Sequence, residues 1–357
     1  MAKWRGTLGR AAAALVAAGL VSGAFVVFRA QASPAPDLPP IAPDRLVASV
    51  LQSLVDRSPV SGKVDAFLDL GLPSLPDAGF GSEISSAAGF LAQISGTHHL
   101  RVWRSADGSR ITDILPRSER AVFVSRTEAW AWDFGAFTAY RLPHGMPMQH
   151  FVAPGEAAGM LDPLELARHA LQAASPSTSI TVARTARVAG RPAYVLAVDP
   201  RSKTSLVRRV EIDIDAERRL PLRAAVFARG RTTASLWTAF TSVSFASIDP
   251  DVYRFTPPPG AKMVTVGGAR GEAGSAGEYG APDGLRLFGT GWDSVVAVRV
   301  PKGEERTAGA GGLDIARFLP VSGPVLSVRL VERADHAWLV YGLVPQPVLA
   351  AVEPKLP

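Results

Sequence analysis

A series of short alternating stretches separated by turn residues constrains this chain more than any other feature. Residues 98–142 alternate apolar and polar side chains, with turn residues every eight to ten positions. Asp107-Gly108 lies between two such stretches, and Asp-Gly in that setting is a strong hairpin signal. The intervals leave no room for helices. The pattern predicts an antiparallel meander with strands at 100–103, 111–115, 121–124, 129–134 and 137–140.

A second meander continues the same pattern later in the chain. Its predicted strands are 180–183, 193–198, 206–214, 221–228 and 235–245, and a first strand precedes both meanders at 62–70. Only two segments predict helices convincingly. Residues 43–55 carry an apolar stripe at helical spacing after Pro43, and 162–174 begin with Asp162 as N-cap and Glu165 in a capping-box position. The fold class is therefore α+β and mainly β.

The first 32 residues predict export. Four basic residues and no acidic residue occur there, and residues 11–28 are uncharged and apolar. Ala30-Gln31-Ala32 then matches a small-residue cleavage pattern. The segment is either a cleaved signal peptide or a retained anchor, since eighteen apolar residues are at the lower limit of a membrane span. Both alternatives place the rest of the chain outside the cytoplasm, in the cell envelope or secreted.

Composition shifts divide the remaining chain. Residues 74–97, rich in Gly, Ser and Ala, predict a flap that covers something, and three apolar runs after residue 285 predict a small strand-rich unit. The predicted segments are an export segment at 1–32, a Pro-rich spacer at 33–42, a main domain at 43–264, a Gly-rich linker at 265–284 and a C-terminal extension at 285–357.

Composition also excludes several classes of protein. The chain has no cysteine, which excludes disulfides and cysteine metal sites. The formal net charge is +6, but residues 1–32 supply four of those charges, so the remainder is nearly balanced. A balanced body with interspersed signs is not the electrostatic footprint of a nucleic-acid-binding protein.

Candidate catalytic groups are few. Glu211, Asp213 and Asp215 share one face of a strand and could hold a cation or act as paired hydrolase carboxylates. Nearby arginines favour a charged sheet face instead, because opposite charges pair across strands. These arginines are Arg208, Arg209, Arg218, Arg219 and Arg223. His98 and His99 point to opposite faces of a strand and cannot chelate one metal together. We therefore expect no catalytic residue, no metal and no cofactor.

Large aromatic residues on predicted strands are the most conspicuous side chains. Trp130 and Trp132 are two positions apart, so they share one face of the sheet. Such residues form either an ordinary core under covering helices or the lining of an apolar cavity for a lipid-like ligand. The small number of helices relative to strands favours a cavity somewhat. The candidate cavity residues are Trp103, Trp130, Trp132, Trp237 and Phe240.

The order of several motifs resembles the actinobacterial branch of the LolA-like superfamily. That superfamily includes the outer-membrane lipoprotein carrier and the N-terminal domain of the sigma-factor regulator RseB (MucB). The motifs are LGLPSLP at 70–76, LRVWRSADGSRI at 100–111, EAWAWDF at 128–134, VAGRPAYVLAVDP at 188–200, VEIDIDAERRLPLRAAVFARG at 210–230 and FTSVSFASIDPDVYRFTPPPGAKMV at 240–264.

The resemblance implies an unclosed antiparallel β-barrel of about eleven strands, wrapped over a few helices around an apolar cavity. It implies a non-enzymatic function, with lipid or lipoprotein acyl chains as ligand. The alternative is an envelope-stress regulator that binds a membrane-anchored anti-sigma factor; an extracytoplasmic hydrolase is a third hypothesis. An N-terminal anchor, if the segment is retained, the Gly-rich linker and the C-terminal extension depart from the carrier and weigh against a freely shuttling role.

Overall fold

A large antiparallel sheet forms the main body of the protein. The structure is a computed structural model and describes residues 35–71, 95–142, 161–173, 178–265, 284–301 and 319–357. The strands of this sheet are β1 Val60–Leu68, β2 Gly96–Ser105, β3 Gly108–Leu115, β4 Ser118–Val124, β5 Ala129–Asp133, β6 Thr138–Leu142, β7 Thr178–Val188, β8 Arg191–Pro200, β9 Val207–Asp215, β10 Pro221–Ala228, β11 Leu236–Ser244 and β12 Lys262–Thr265.

The sheet is open, as the resemblance implied. Its strand order is β12-β6-β5-β4-β3-β2-β1-β11-β10-β9-β8-β7, so β12 and β7 are edges that do not pair with each other. Every neighbouring pair is antiparallel except β12 with β6, which is parallel. The unclosed, mainly antiparallel architecture is thus confirmed, with twelve strands where about eleven were expected. The additional strand is β12, which sequence patterning missed because four residues show no clear alternation.

Two helices pack on one face of this sheet. They are α1 Pro43–Asp56 and α2 Pro163–Ala173, and both predictions are confirmed to within one residue. Leu46 and Val50 of α1 and Leu164 of α2 are buried in one apolar cluster with strand residues. Asp162 caps α2 by accepting a hydrogen bond from the Leu164 amide at 2.9 Å. The capping box is wrong, however, because Glu165 pairs with Arg104 and Arg168 instead.

A strap, residues 245–261, joins β11 to β12 and covers the opposite face. Tyr253 is buried and its hydroxyl donates to Ser105 Oγ at 2.9 Å. Gly108 lies under the Tyr253 ring and leaves no room for a Cβ atom. Phe255 stacks on Phe123 with ring centroids 4.9 Å apart and also contacts two tryptophans. The strap is therefore anchored to β2–β5 by aromatic packing.

A second, five-stranded sheet forms the C-terminal region. It has the order β13-β14-β17-β16-β15, and helix α3 Gln346–Val352 packs on it. The three predicted apolar runs become β14, β16 and β17. The strands are β13 Leu285–Phe288, β14 Val295–Pro301, β15 Val321–Ser322, β16 Ser327–Glu332 and β17 His336–Gly342.

This second sheet docks on one end of the main sheet. The Leu206 amide donates to the Leu343 carbonyl at 2.7 Å, and the Trp292 indole donates to Thr178 Oγ1 at 3.0 Å. Trp292 and Val325 are buried in the same cluster as the main helices and strands. The described residues from 37 onward accordingly belong to one compact unit.

Replacing the strap aromatic tests its role as a cover. Phe255→Ala should lower the free energy of unfolding by about 2 kcal/mol, because a partly buried ring and its aromatic contacts are lost. Tryptophan emission should shift to longer wavelength, since Trp130 and Trp132 become hydrated. The control Arg254→Ala removes an exposed side chain that pairs with the equally exposed Asp251 and should change stability by less than about 0.5 kcal/mol. Unchanged emission in Phe255→Ala would contradict the covering role.

Candidate functional site

The strand register assigns side chains to two faces of the main sheet. Residues directly opposite each other on neighbouring strands point to the same face. The face that α1 and α2 cover is the inner face, and the face that the strap covers is the outer face. One inner row runs across six strands as Val102, Ile111, Val122, Ala131, Tyr140 and Val264.

Part of this row forms an apolar strip beyond the helix-covered core. Val122, Ala131 and Tyr140 are buried together, with Val124, Leu142 and Val264 packed against them. No residue of α1 or α2 belongs to this cluster, whereas Ile111 belongs to the core that contains both helices. We call Ile111, Val122, Ala131, Tyr140 and Val264 the apolar strip. It extends the inner face across β3, β4, β5, β6 and β12.

A charged row lies beside the strip, two residues along each strand. Asp113, Arg120 and Asp133 are direct neighbours on β3, β4 and β5. Arg120 Nε is 3.5 Å from Asp133 Oδ2, and His98 Nδ1 is 2.9 Å from Asp113 Oδ2. Buried charges persist only when they are paired, because desolvation is costly. The alternating signs of this charged row meet that requirement.

Tyr140 brings a hydroxyl to the same region. Burial, together with the nearby negative charge of Asp133, raises the pKa of the Tyr140 phenol above its ordinary value. The phenol is therefore protonated at neutral pH and can donate a hydrogen bond. The inner face at this position combines an apolar surface with fixed charges and a hydroxyl donor.

Arg104 links the inner face to α2. Its Nη2 atom donates to Glu165 Oε1 at 2.7 Å and lies 3.6 Å from Asp162 Oδ2. Burial raises the pKa of the Glu165 carboxyl, but Arg104 and Arg168 outweigh it and the net pKa is lowered. Asp162 is fully buried, and this burial raises its pKa despite the attraction of Arg104. The stabilising ion pair is therefore Arg104 with Glu165.

The structure does not bring the five predicted cavity residues together. Trp103, Trp130, Trp132 and Trp237 lie on the outer face, whereas Phe240 lies in the core of the inner face. Trp130 and Trp132 are buried beneath Phe255 of the strap. Trp103 carries the Arg110 guanidinium 5.1 Å from its ring centroid. A role of these five residues in ligand binding stays a prediction.

The apolar strip and the charged row were not found from the sequence. They occupy the alternate positions of the strands that carry the tryptophans, as in Ala129-Trp130-Ala131-Trp132-Asp133. The alternation separates two sets of side chains, but the sequence pattern does not mark a small residue such as Ala131 as part of a binding surface. Only the positions of the helices and the strap distinguish the inner set from the outer set.

The acidic strand is a paired charged surface. Glu211, Asp213 and Asp215 lie on the outer face, where they pair with Arg184, Arg223 and Arg191, respectively. Pairing with arginine is confirmed, although only Arg223 was among the partners proposed from the sequence. Burial raises the pKa of Asp213 in spite of the attraction of Arg223. Each carboxylate is occupied by an arginine, which favours a structural role over a hydrolytic one.

The two adjacent histidines of β2 make separate contacts. His98 and His99 bond to Asp113 and Asp65 on opposite faces, as expected. Within the described ranges, no group of three or more metal-ligating side chains is close enough to hold a metal ion.

The described segments also contain no helix that is long and apolar enough to cross a membrane. The predicted export segment, nearly all of the predicted flap and the linker lie outside the described residues.

Comparisons with known proteins give structural neighbours alone. No family model matches the chain, and no curated protein matches it. Among solved structures, the MucA/MucB complex of Pseudomonas aeruginosa contains a chain with 17% identity and a TM-score of 0.45, over 86% of this chain and 96% of that chain.

Two other solved structures cover a smaller part of the chain. An uncharacterized conserved protein from Thermus thermophilus has 13% identity and a TM-score of 0.35, over 62% of this chain and 98% of its own. A LolA superfamily protein from Nitrosomonas europaea has 8% identity and a TM-score of 0.23, over 60% and 99%. These neighbours include the two protein groups that the motif order resembles. The fold itself is established by the open twelve-stranded sheet rather than by these alignments.

Two substitutions of Asp162 test the buried cap of α2. Asp162→Ala should lower the free energy of unfolding by about 1 kcal/mol or more, because the acceptor for the Leu164 amide is lost. Asp162→Asn keeps that acceptor. Since burial raises the pKa of Asp162, the wild type loses stability as the pH rises through that pKa, and the Asn variant does not.

Denaturant unfolding at several pH values measures this difference. The stability of Asp162→Asn relative to the wild type should increase as the pH rises above the ordinary carboxyl pKa of about 4. A difference that does not change with pH would show that ionisation of Asp162 is not costly in the folded protein.

Proposed function

We propose that this chain is an exported, non-enzymatic protein that holds acyl chains of a lipid or lipoprotein on its inner face. The apolar strip is the observation that carries the proposal, because it continues the inner face beyond the core shared with α1 and α2. A mostly apolar surface with a few fixed polar groups is typical of small-ligand sites. The export segment predicted at 1–32 places such a site in the cell envelope.

The dimensions of the strip suit an extended acyl chain. It crosses five neighbouring strands, and strands lie about 4.8 Å apart, so it runs for about 19 Å across the sheet. That length is comparable to an extended fatty-acyl chain. Methylene groups lying against Ile111, Val122, Ala131 and Val264 would gain about 0.8 kcal/mol each when removed from water.

The groups beside the strip would orient the polar end of the ligand. The charged row presents two carboxylates on either side of one guanidinium, and the Tyr140 hydroxyl remains protonated. An ester, an amide or a phosphate each has acceptors for Arg120 or Tyr140. The chemistry required is binding and release, which needs no nucleophile or general base.

A matched pair of alanine substitutions tests the acyl site. Ala131 on the inner face and Ala139 on the outer face are both fully buried, on neighbouring strands. Ala131→Leu should reduce the amount of acyl ligand that co-purifies by about tenfold, because the larger side chain fills the strip. Ala139→Leu should over-pack the sheet similarly yet leave ligand binding unchanged.

Native mass spectrometry and lipid extraction of detergent-free protein measure the bound ligand. Thermal unfolding of both variants checks that the folded fraction is similar. A wild-type protein with no acyl species, which also fails to bind added fatty-acyl probes, would contradict the proposal.

A second candidate function is binding of a membrane-anchored envelope protein, such as an anti-sigma factor. The second sheet favours it, because the face opposite α3 is apolar and partly exposed. Leu287 is 67% exposed there, and Val296 and Val298 on the adjacent strand are half-buried. Apolar surface of this kind often marks a protein interaction site.

Photocrosslinking in intact cells tests this candidate. A photoreactive residue in place of Leu287 should capture one membrane protein, whereas the same residue in place of exposed Val55 on α1 should not. Deletion of the gene should then alter envelope-stress transcription. Equal labelling from both positions, or no membrane protein from either, would count against a partner at this face.

A further inference from the structure

Exposed apolar side chains concentrate at one end of the main sheet. The described residues expose seven large apolar side chains, and four of them lie at this end. Their exposed fractions are 40% for Ile114, 54% for Phe134, 41% for Phe137 and 54% for Met263. We call these four residues the tip patch. Two of its members are aromatic, and neither aromatic ring has been used in the acyl site.

Backbone contacts bring the four residues together from three parts of the chain. The β3–β4 and β5–β6 turns are at the same end of the sheet, and the Phe134 amide donates to Glu119, the strand partner of Ile114. The Lys262 amide donates to the Phe137 carbonyl, which places β12 and Met263 beside the same turn. The tip patch is thus formed by the two turns and the edge strand.

The backbone holds Phe137 in an unusual conformation at this position. Its φ is +47°, in the left-handed region that glycine adopts most readily. The ring packs edge-on against Trp132, with centroids 5.5 Å apart, and still remains 41% exposed. Phe134 is separated from it by Gly135 and Ala136 and is more exposed. The turn therefore presents two aromatic rings at the surface.

Basic side chains flank the tip patch. Arg117 in the β3–β4 turn and Lys262 at the start of β12 are exposed. Neither forms an ion pair with any other described residue. Glu119 is the acidic residue nearest to Arg117 along the strands, and it is half-buried. In the strand register Lys262 lies opposite Thr138, which lies opposite the buried Asp133. Aromatic and apolar side chains next to unpaired cations are the combination that binds a lipid interface with anionic headgroups.

We propose that the tip patch docks the protein on an anionic lipid surface. Phe134 and Phe137 enter the interfacial region, while Arg117 and Lys262 face the headgroups. The exposed apolar area amounts to a few hundred Å², well below the roughly 800 Å² per partner of a stable protein interface. Two neighbouring turns and the edge strand present these exposed side chains at one end of the sheet, which suits shallow insertion. This inference goes beyond the proposed function, because the tip patch is separate from the apolar strip.

Vesicle binding tests the proposal. Protein that starts at residue 33 removes the apolar N-terminal segment, and the described elements belong to the compact unit 37–357. This protein should co-sediment with vesicles of phosphatidylglycerol and phosphatidylcholine, and more weakly with phosphatidylcholine alone. Phe134→Ser and the double variant Phe134→Ser/Phe137→Ser should each weaken binding, the double variant by about tenfold or more. Arg117→Ala/Lys262→Ala should remove the preference for the anionic vesicles.

Matched controls exclude a general effect of exposed apolar residues. Val55→Ser and Leu287→Ser replace side chains that are 74% and 67% exposed elsewhere, and both should bind like the wild type. Circular dichroism confirms folding. Phe134→Ser provides an independent variant, because it leaves the contact between Phe137 and Trp132 intact. Absence of vesicle binding by the wild type, or equal binding by Phe134→Ser/Phe137→Ser, overturns the proposal. Self-association that depends on Phe134, without vesicle binding, overturns it in favour of an interface between copies.

Discussion

An unclosed sheet of twelve strands has two faces to bury, and the rest of the main domain follows from that constraint. The side chains of the two helices share a core with β1–β3 and β7–β11 but not with the cluster around Ala131, which is buried separately. The strap covers the outer face over the tryptophans of β5. A closed barrel would not need the helices over its inner face, because closure encloses that face and removes both edges, but its outer face would still need a cover such as the strap.

Arginine–carboxylate pairs occupy the outer face around β9. The carboxylates of β9 pair with arginines of three other strands: Glu211 with Arg184 of β7, Asp213 with Arg223 of β10 and Asp215 with Arg191 of β8. The inner charged row follows the same rule of pairing with opposite charges, and Asp133, like Asp215 on the outer face, is nearly inaccessible to solvent. Charges that are paired in both places can remain buried, yet only the inner row lies beside an apolar strip that could receive a ligand. A structural charge pair and a candidate binding group therefore have the same chemistry here and differ only in their position on the sheet.

Much of the fold could be predicted, because local signals were strong. The strand Pro221–Ala228 and the two long helices were located to within one residue, since alternation, proline and an Asp cap each act over a few residues. The first strand begins two residues earlier than expected, and β12 was missed because its pairing with β6 depends on the distant strap. The ion partners of Glu211 and Asp215 were also missed, because Arg184 and Arg191 come from β7 and β8 and neither lies directly opposite its carboxylate in the strand register. The candidate sites were harder to predict than the fold, because they too depend on contacts between distant parts of the chain.

The sequence by itself determined the strand and helix positions, the two alternating sets of side chains on each strand, and the absence of cysteine chemistry. A period of two separates Trp130 and Trp132 from Ala131 and Asp133, but it contains no information on which set meets the helices. The tertiary structure decided that question, and it placed the tryptophans under the strap and the small and charged residues on the inner face. The physical reason is that a face is assigned by long-range contacts. The strap passes from β11 to the far edge of the sheet, and the hydrogen bonds that anchor it join residues more than one hundred positions apart.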